Sequence, residues 1–290
     1  MCKKHSLLSA FVCLLAAEGF AQVPSDGAVQ VGQAAVAVSA DSTDASAIMT
    51  AVESRDKANR VKSKLLLKIV DKGGRTRART MRSWAMETGE SERQLMVFDS
   101  PADVQGTSLL SIDHDDSKKD DDQWLYLPSL KKSTRISSGD KSGSFMGTDL
   151  TYSDMTRSAT SDYEYKIVKQ TVSVGKGAAA EECWLIEARP ITQKAKDETG
   201  YVKSRVWVSK SKLLPVQVKA WVREGRKLKY IKFDDLRMVG GHWMAHKISA
   251  RTTRAREVLS TTIIQFADVS ADNADVNDGF FDQNAQWWTR

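Results

Sequence analysis

His242 and His246 stand four residues apart in HWMAH, a spacing that on a helix would aim two imidazoles at one zinc ion. They follow the pair Gly240-Gly241, lack the glutamate of an H-E-x-x-H motif, and lie in a segment that reads as a strand. In a strand the same spacing separates them by roughly 13 Å, so no metal site is expected there. GSFMG, from Gly143, places its serine one position too early for the G-x-S-x-G elbow, and SGDKSGS has neither the spacing nor the strand-to-helix setting of a phosphate-binding loop. The carboxylates of Asp113, Asp115, Asp116, Asp120, Asp121 and Asp122 could ligate calcium. The run lacks an EF-hand's central glycine and final glutamate, however, and Lys118-Lys119 interrupts it, so a solvated hairpin loop is expected. Cys183, in the apolar run CWLIEA, reads as a small buried hydrophobe. No catalytic residue and no cofactor emerge from this search.

Two side-chain patterns remain. Arg75, Arg77 and Arg79 alternate with Thr76, Ala78 and Thr80, so three guanidiniums project from one face of a strand. Either that face is solvated, or an arginine stands in an apolar groove where it can reach a lid carbonyl or a lipid phosphate. The aromatic residues Trp84, Trp124, Tyr126, Trp207, Trp221 and Phe233 fall within predicted strands, while Phe145-Met146 lies in a central Gly/Ser-rich loop. Val206, Val208, Val216, Val218 and Val222 occupy one set of alternating positions, with Trp207 and Trp221 on the other. A sheet apolar on both faces needs two partners. These residues either fill a two-layer core, or one partner is a lid that opens for a hydrophobic ligand.

The elements that must position these groups follow from periodicity. MCKKHSLLSAFVCLLAAEGFAQ has the layout of a cleavable secretory signal: a lysine pair, an apolar run from Leu7 to Ala17, and small residues before a cut after Ala21. Cys13 lies inside the apolar run behind Ala10-Phe11-Val12, so tethering through it is not expected. Residues 22–43 read as a flexible leader and 44–290 as one folded unit. Asp44 or Ser46 caps a helix that gathers Ile48, Met49, Ala51 and Val52 on one side. Alternating segments then recur between turns such as DKGG, GKG, REGRK and VGG. About ten strands with hairpin connections argue for one large antiparallel sheet, covered by the first helix and the central segment SSGDKSGSFMGTDLTYSDM. The formal charge of +6, from 43 basic and 37 acidic residues, is a mild excess. In an exported protein it points to anionic lipid surfaces or acidic partners, not to nucleic acid.

The succession FDSPADVQGTSLL, DDQWLYLPSLKKSTRI, SGSFMGTDLTYSDM, LPVQVK with GRKLK, and FDDLRMVGGHWMAHKI resembles the outer-membrane lipoprotein-sorting protein family, relatives of the LolA-type carriers, from about Ala47 to Phe281. The resemblance implies a mainly β (α+β) fold: a strongly curved, unclosed antiparallel sheet of about eleven strands, a half-barrel covered by short helices. It also implies a periplasmic, non-enzymatic carrier of lipid or lipoprotein acyl chains, with transient membrane contact and an RND-type inner-membrane transporter as a possible partner. An envelope sensor or accessory protein that uses the same fold to bind another protein is the alternative. Gly147, Thr148 and Asp149 match the family's MGTD, and Trp124, Tyr126 and Pro128 its WLYLP. An arginine reaching the lid is a feature of LolA carriers, and Arg77 or Arg79 stands at the corresponding place. The candidate lipid-binding set is Trp84, Trp124, Tyr126, Phe145, Met146, Trp207, Trp221, Arg77 and Arg79.

Overall fold

The computed structural model describes residues 38–55, 57–116, 119–177 and 180–282. The expected signal, most of the expected leader and Lys118 lie outside the described residues.

Helix α1 (Ala45–Ser54) starts where a side chain can satisfy its first donors: Asp44 Oδ1 accepts from the backbone N–H groups of Ser46 at 2.9 Å and Ala47 at 3.0 Å. The apolar side of the helix, Ile48, Met49 and Val52, is buried. Strands β1 (Arg60–Asp71), β2 (Thr76–Glu87), β3 (Ser91–Ser100), β4 (Ser108–His114), β5 (Asp122–Leu127) and β6 (Lys132–Arg135) form one meander. Strands β7 (Tyr163–Val174), β8 (Glu181–Pro190), β9 (Tyr201–Ser209), β10 (Pro215–Val222), β11 (Lys227–Val239), β12 (His242–Arg254) and β13 (Glu257–Ala271) form a second, with helix α2 (Gln193–Thr199) between β8 and β9.

The two meanders join where β1 pairs antiparallel with β13, giving a single curved sheet in the order β6-β5-β4-β3-β2-β1-β13-β12-β11-β10-β9-β8-β7. The outermost strands, β6 and β7, do not pair with each other, so the sheet stays unclosed. The sheet has 13 strands, more than the resemblance implies. Two of them escape a reading by alternation. In β4, Leu109 and Leu110 are both fully buried, one on each face, which erases the period of two. In β6 the sequence KSTR is polar, and only its pairing with β5 makes it a strand.

Strand β1 defines the two faces. Val61, Leu65, Leu67 and Ile69 point inward and are buried, while Lys62, Lys64, Leu66 and Lys68 point outward. Register carries the inner face across the sheet: Ile186, Val206, Val218, Ile231, Ala250, Thr262 and Ile69 lie side by side on consecutive strands. Every member of that row but Thr262 is apolar, and each large one contributes roughly 1.5–3 kcal/mol on burial. A smaller apolar cluster lies on the opposite face of β2–β5, where Trp84, Leu95, Leu110 and Tyr126 are covered by Val276, Phe280 and Phe281 from the segment after β13.

The acidic run forms the β4–β5 hairpin expected, with Asp116 and Asp120 exposed, but it is not solvated throughout. Asp113 and Asp121 are 4% and 6% exposed: the chain folds back so that the Arg157 backbone N–H donates to Asp113 Oδ2 at 3.2 Å, and Asp121 Oδ1 accepts from the His114 backbone N–H at 3.2 Å.

A polar-latched lid over an apolar sheet face

Residues 136–162 connect β6 to β7, the two edges of the open sheet, and must therefore pass over the inner face. They do so as a chain of single 3-10 turns, Ser138–Asp140, Phe145–Gly147, Ser153–Met155 and Thr160–Asp162. Serine, glycine and aspartate favour such turns over a helix. Phe145, Leu150 and Met155 point down from this lid into the core and are 2%, 1% and 3% exposed. The Phe145 ring meets Phe98 of β3 at 6.0 Å and the edge of Tyr152 at 5.8 Å.

The lid tip turns through two left-handed residues, Met146 at φ 47° and Gly147 at φ 75°. A methionine in this region costs roughly 1–2 kcal/mol, so the turn needs external support. Arg79, buried on the inner face of β2, donates from Nη1 to the Met146 carbonyl at 2.7 Å, and its guanidinium lies 5.6 Å from the Phe98 ring centroid. Burial, and next the charge of Arg77, lower the pKa of Arg79 from its usual value. Arg77 lies one inward position further along and is exposed, with its guanidinium beside Gly147.

Four further polar attachments hold the lid. Asp149 accepts from Ser260 Oγ at 2.5 Å and Thr262 Oγ1 at 2.8 Å, and its backbone N–H donates to Thr262 Oγ1 at 2.8 Å. Gln123, on the inner face of β5, donates to the Tyr152 carbonyl at 2.9 Å. Asp154 meets Lys229 Nζ at 2.9 Å and accepts the Tyr201 hydroxyl at 2.8 Å, with all three groups buried. Burial and the neighbouring Asp154 charge push the Tyr201 pKa well up, which keeps it a donor. At the lid's end Arg157 bonds Asp115 at 2.9 Å and lies 3.6 Å from Glu92. Burial opposes its charge, but the carboxylates of Glu92, Asp113 and Asp115 more than offset that and raise its pKa.

A cavity of about 400 Å³ opens along the seam between lid and sheet, with Ser144, Thr148 and Asp149 on the lid side and Tyr201, Lys229 and Ser260 on the sheet side. Most of its lining residues carry a hydroxyl or a charge, with Leu150, Val222 and Leu259 among them. Elsewhere, Cys183 is fully buried and its thiol is pushed up to about 12 by burial. His242 and His246 lie in a strand, and no group of three or more His, Cys, Asp or Glu suited to a metal ion occurs among the described residues.

Of the nine residues singled out from sequence, the structure brings together Arg77, Arg79, Phe145 and Met146 at the lid tip. The other five do not join them. Trp84 and Trp124 are in register with Leu95 and Leu110 on the outer face, Tyr126 shares the parity of Trp124, and Trp84 and Tyr126 lie within the cluster under Phe280 and Phe281. Trp207 and Trp221 also face outward, with the Trp221 ring 4.9 Å from Lys203 Nζ and 4.7 Å from Lys219 Nζ. The physical reason is strand parity: one residue of offset moves a side chain to the other side of the sheet. Sequence reasoning matched Asp149 to the MGTD motif without giving it a role, and missed Asp154, Tyr201 and Lys229. A signal was available in LKYIKF, where Lys229 shares its parity with Ile231 and Phe233 and so stands as a lysine on an apolar face.

The fold recurs in known proteins. A DUF1329 family protein from Desulfovibrio piger aligns at 28% identity and TM-score 0.68, covering 79% of this chain and 91% of that one. A putative outer membrane lipoprotein-sorting protein domain from Vibrio parahaemolyticus aligns at 26% identity and TM-score 0.67, covering 79% and 92%. A LolA superfamily protein from Nitrosomonas europaea shares the fold at 16% identity and TM-score 0.57, covering 78% and 91%. No curated protein matches the sequence. A family model with the description "Uncharacterized protein" matches residues 90–285, which takes in the lid and every strand from β3 to β13; the chain belongs to that family, and its kinship with the outer-membrane lipoprotein-sorting, LolA-like proteins holds in its fold.

Proposed function

We propose that this protein is a periplasmic carrier that holds the acyl chains of a lipid or lipoprotein between its inner sheet face and the 136–162 lid, and moves them between envelope membranes. The observation that carries this reading is the contrast within the lid. Its downward side chains, Phe145, Leu150 and Met155, are apolar and occupy the inner face, while its anchors are discrete polar bonds at Arg79, Asp149 and Asp154. Apolar contacts of that kind can be exchanged for acyl chains at little net cost, whereas the polar anchors define when the lid is shut. Each buried methylene is worth roughly 0.8 kcal/mol, so ten supply about 8 kcal/mol before ordering costs. The polar seam cavity suits the head of such a molecule. A carrier of this kind needs a donor and an acceptor, and an RND-type inner-membrane transporter fits one of those roles.

Native mass spectrometry of the protein isolated from membrane-containing cells tests the reading. A co-purified mass in the lipid range, displaced by an added acyl probe, is the expected result. Repeated preparations without bound lipid and without probe uptake, together with a stable complex with another envelope protein, would instead support a sensor or accessory role.

A further inference from the structure

The outer face of the sheet carries a second depression, unconnected with the lid, whose lining residues all end in polar or charged groups above an apolar floor. It is a cavity of about 180 Å³ lined by Gln217, Tyr230, Lys232, Ser249, Arg251 and Thr261. Register explains the grouping. Tyr230, Arg251 and Thr261 lie side by side on β11, β12 and β13, and Gln217, Lys232 and Ser249 form the adjacent row on β10, β11 and β12. Lys219 is directly opposite Tyr230, with its Nζ 5.4 Å from that ring and 4.7 Å from the ring of Trp221.

Lys232 and Arg251 thus line the depression, and Lys219 stands beside it on the outer face, over the Tyr230 ring. On the neighbouring strand Lys203 and Arg205 are each paired with Glu187, at 2.8 Å and 3.3 Å. Lys219, Lys232 and Arg251 make no ion pair among the described residues. The nearest acid in sequence on β11, Asp234, shares the outer face two residues beyond Lys232 and faces Lys247 on β12. Like charges on adjacent strands repel, and a sheet holds three together at a cost unless an anion sits among them. The lining offers an ammonium, a guanidinium, three hydroxyls, an amide and no carboxylate, which is the donor set for a phosphate oxygen cluster. The half-buried rings of Trp221 and Tyr230 beside the cations suit a surface that is apolar just beneath its charge.

We infer that this outer-face pocket binds the phosphodiester of an anionic phospholipid, and that the protein docks on a bilayer through the outer face of β9–β13. This deepens the membrane contact in the proposed function by naming its surface. Because vesicle binding and cargo uptake are separate measurements, either can fail alone.

The test is vesicle co-sedimentation of the protein as isolated, with phosphatidylcholine vesicles, phosphatidylcholine vesicles containing phosphatidylglycerol, and soluble glycerol phosphate or polyglutamate as competitors. Binding only to the phosphatidylglycerol vesicles is expected. It should fall about fivefold for each of Lys219→Gln, Lys232→Gln and Arg251→Gln, and about a hundredfold for the triple variant, with unchanged thermal melting. The same charge loss at Lys131, Lys132 and Lys176 should leave binding nearly intact. Equal binding to both vesicles, full binding by the triple variant, or an equal loss in the charge-matched control overturns the inference. So does tight binding of glycerol phosphate without vesicle binding, which marks a site for a soluble phosphate, or a preference for polyglutamate, which marks an acidic protein as the partner.

Discussion

Arg79 on β2 and Met146 at the lid tip, 67 residues apart in sequence, are joined by one charge-assisted hydrogen bond of 2.7 Å from a guanidinium to a backbone carbonyl. The bond crosses from the sheet to a residue in the left-handed region, and so ties a strained turn to the rigid part of the fold.

Replacing Arg79 by leucine keeps an apolar stem on the inner face and removes the bond. A hydrogen bond to a charged group is worth about 1.5–3 kcal/mol, so the closed lid should lose roughly ten- to a hundredfold in population. Amide hydrogen exchange at residues 145–149 is expected to rise by that factor, and acyl-probe uptake to accelerate. Unchanged exchange would show that Asp149 and the buried apolar side chains close the lid without Arg79.

Gly147 is held at φ 75° with its position open enough for a methyl group, the closest atom being Arg77 Nη2 at 3.7 Å. Gly147→Ala therefore adds backbone strain and no clash, at about 1–2 kcal/mol. Local exchange at the tip should increase while the global denaturant midpoint moves little. A large fall in that midpoint would place the tip inside the cooperative core.

Asp154 and Lys229 form a buried ion pair completed by Tyr201. Lys229→Met strands a carboxylate among buried groups and should cost about 3–5 kcal/mol in urea unfolding. The double variant Asp154→Leu with Lys229→Met removes both charges and should recover most of that loss. Equal losses in the single and double variants would mean that the pair is not coupled.

Glu53, on α1, is 6% exposed. Burial raises its pKa well above 4.5, and the opposing charges of Lys57, Arg157 and Arg55 do not cancel the effect. The folded state thus holds a proton that the unfolded chain releases. The stability this provides is complete below about pH 4.5 and is lost as pH rises through the higher folded value. Glu53→Gln should raise the melting temperature at neutral pH, have little effect below pH 4.5, and flatten the dependence between. A variant that melts lower at neutral pH would show that the ionised form is paired.

Local pattern by itself determined a helix near Ala45–Ser54 with its cap at Asp44 or Ser46, most of the strands, and the identity of the 137–155 segment as a cover, because capping, alternation and turn chemistry act over a few residues. It also showed that Arg77 and Arg79 share a face. Missing from it were β4, whose burial on both faces hides the alternation, and β6, which is a strand only because β5 lies beside it. Only the tertiary structure decided which face is which. The β1–β13 pairing turns two meanders into one open sheet and forces the lid across a single side, which leaves Trp84, Trp124, Tyr126, Trp207 and Trp221 on the other. It also brought Asp149 to Thr262 and Asp154 to Lys229, across 113 and 75 residues. Such pairs leave no mark in local periodicity, because their partners are chosen by sheet register and by the path the chain takes between its two free edges.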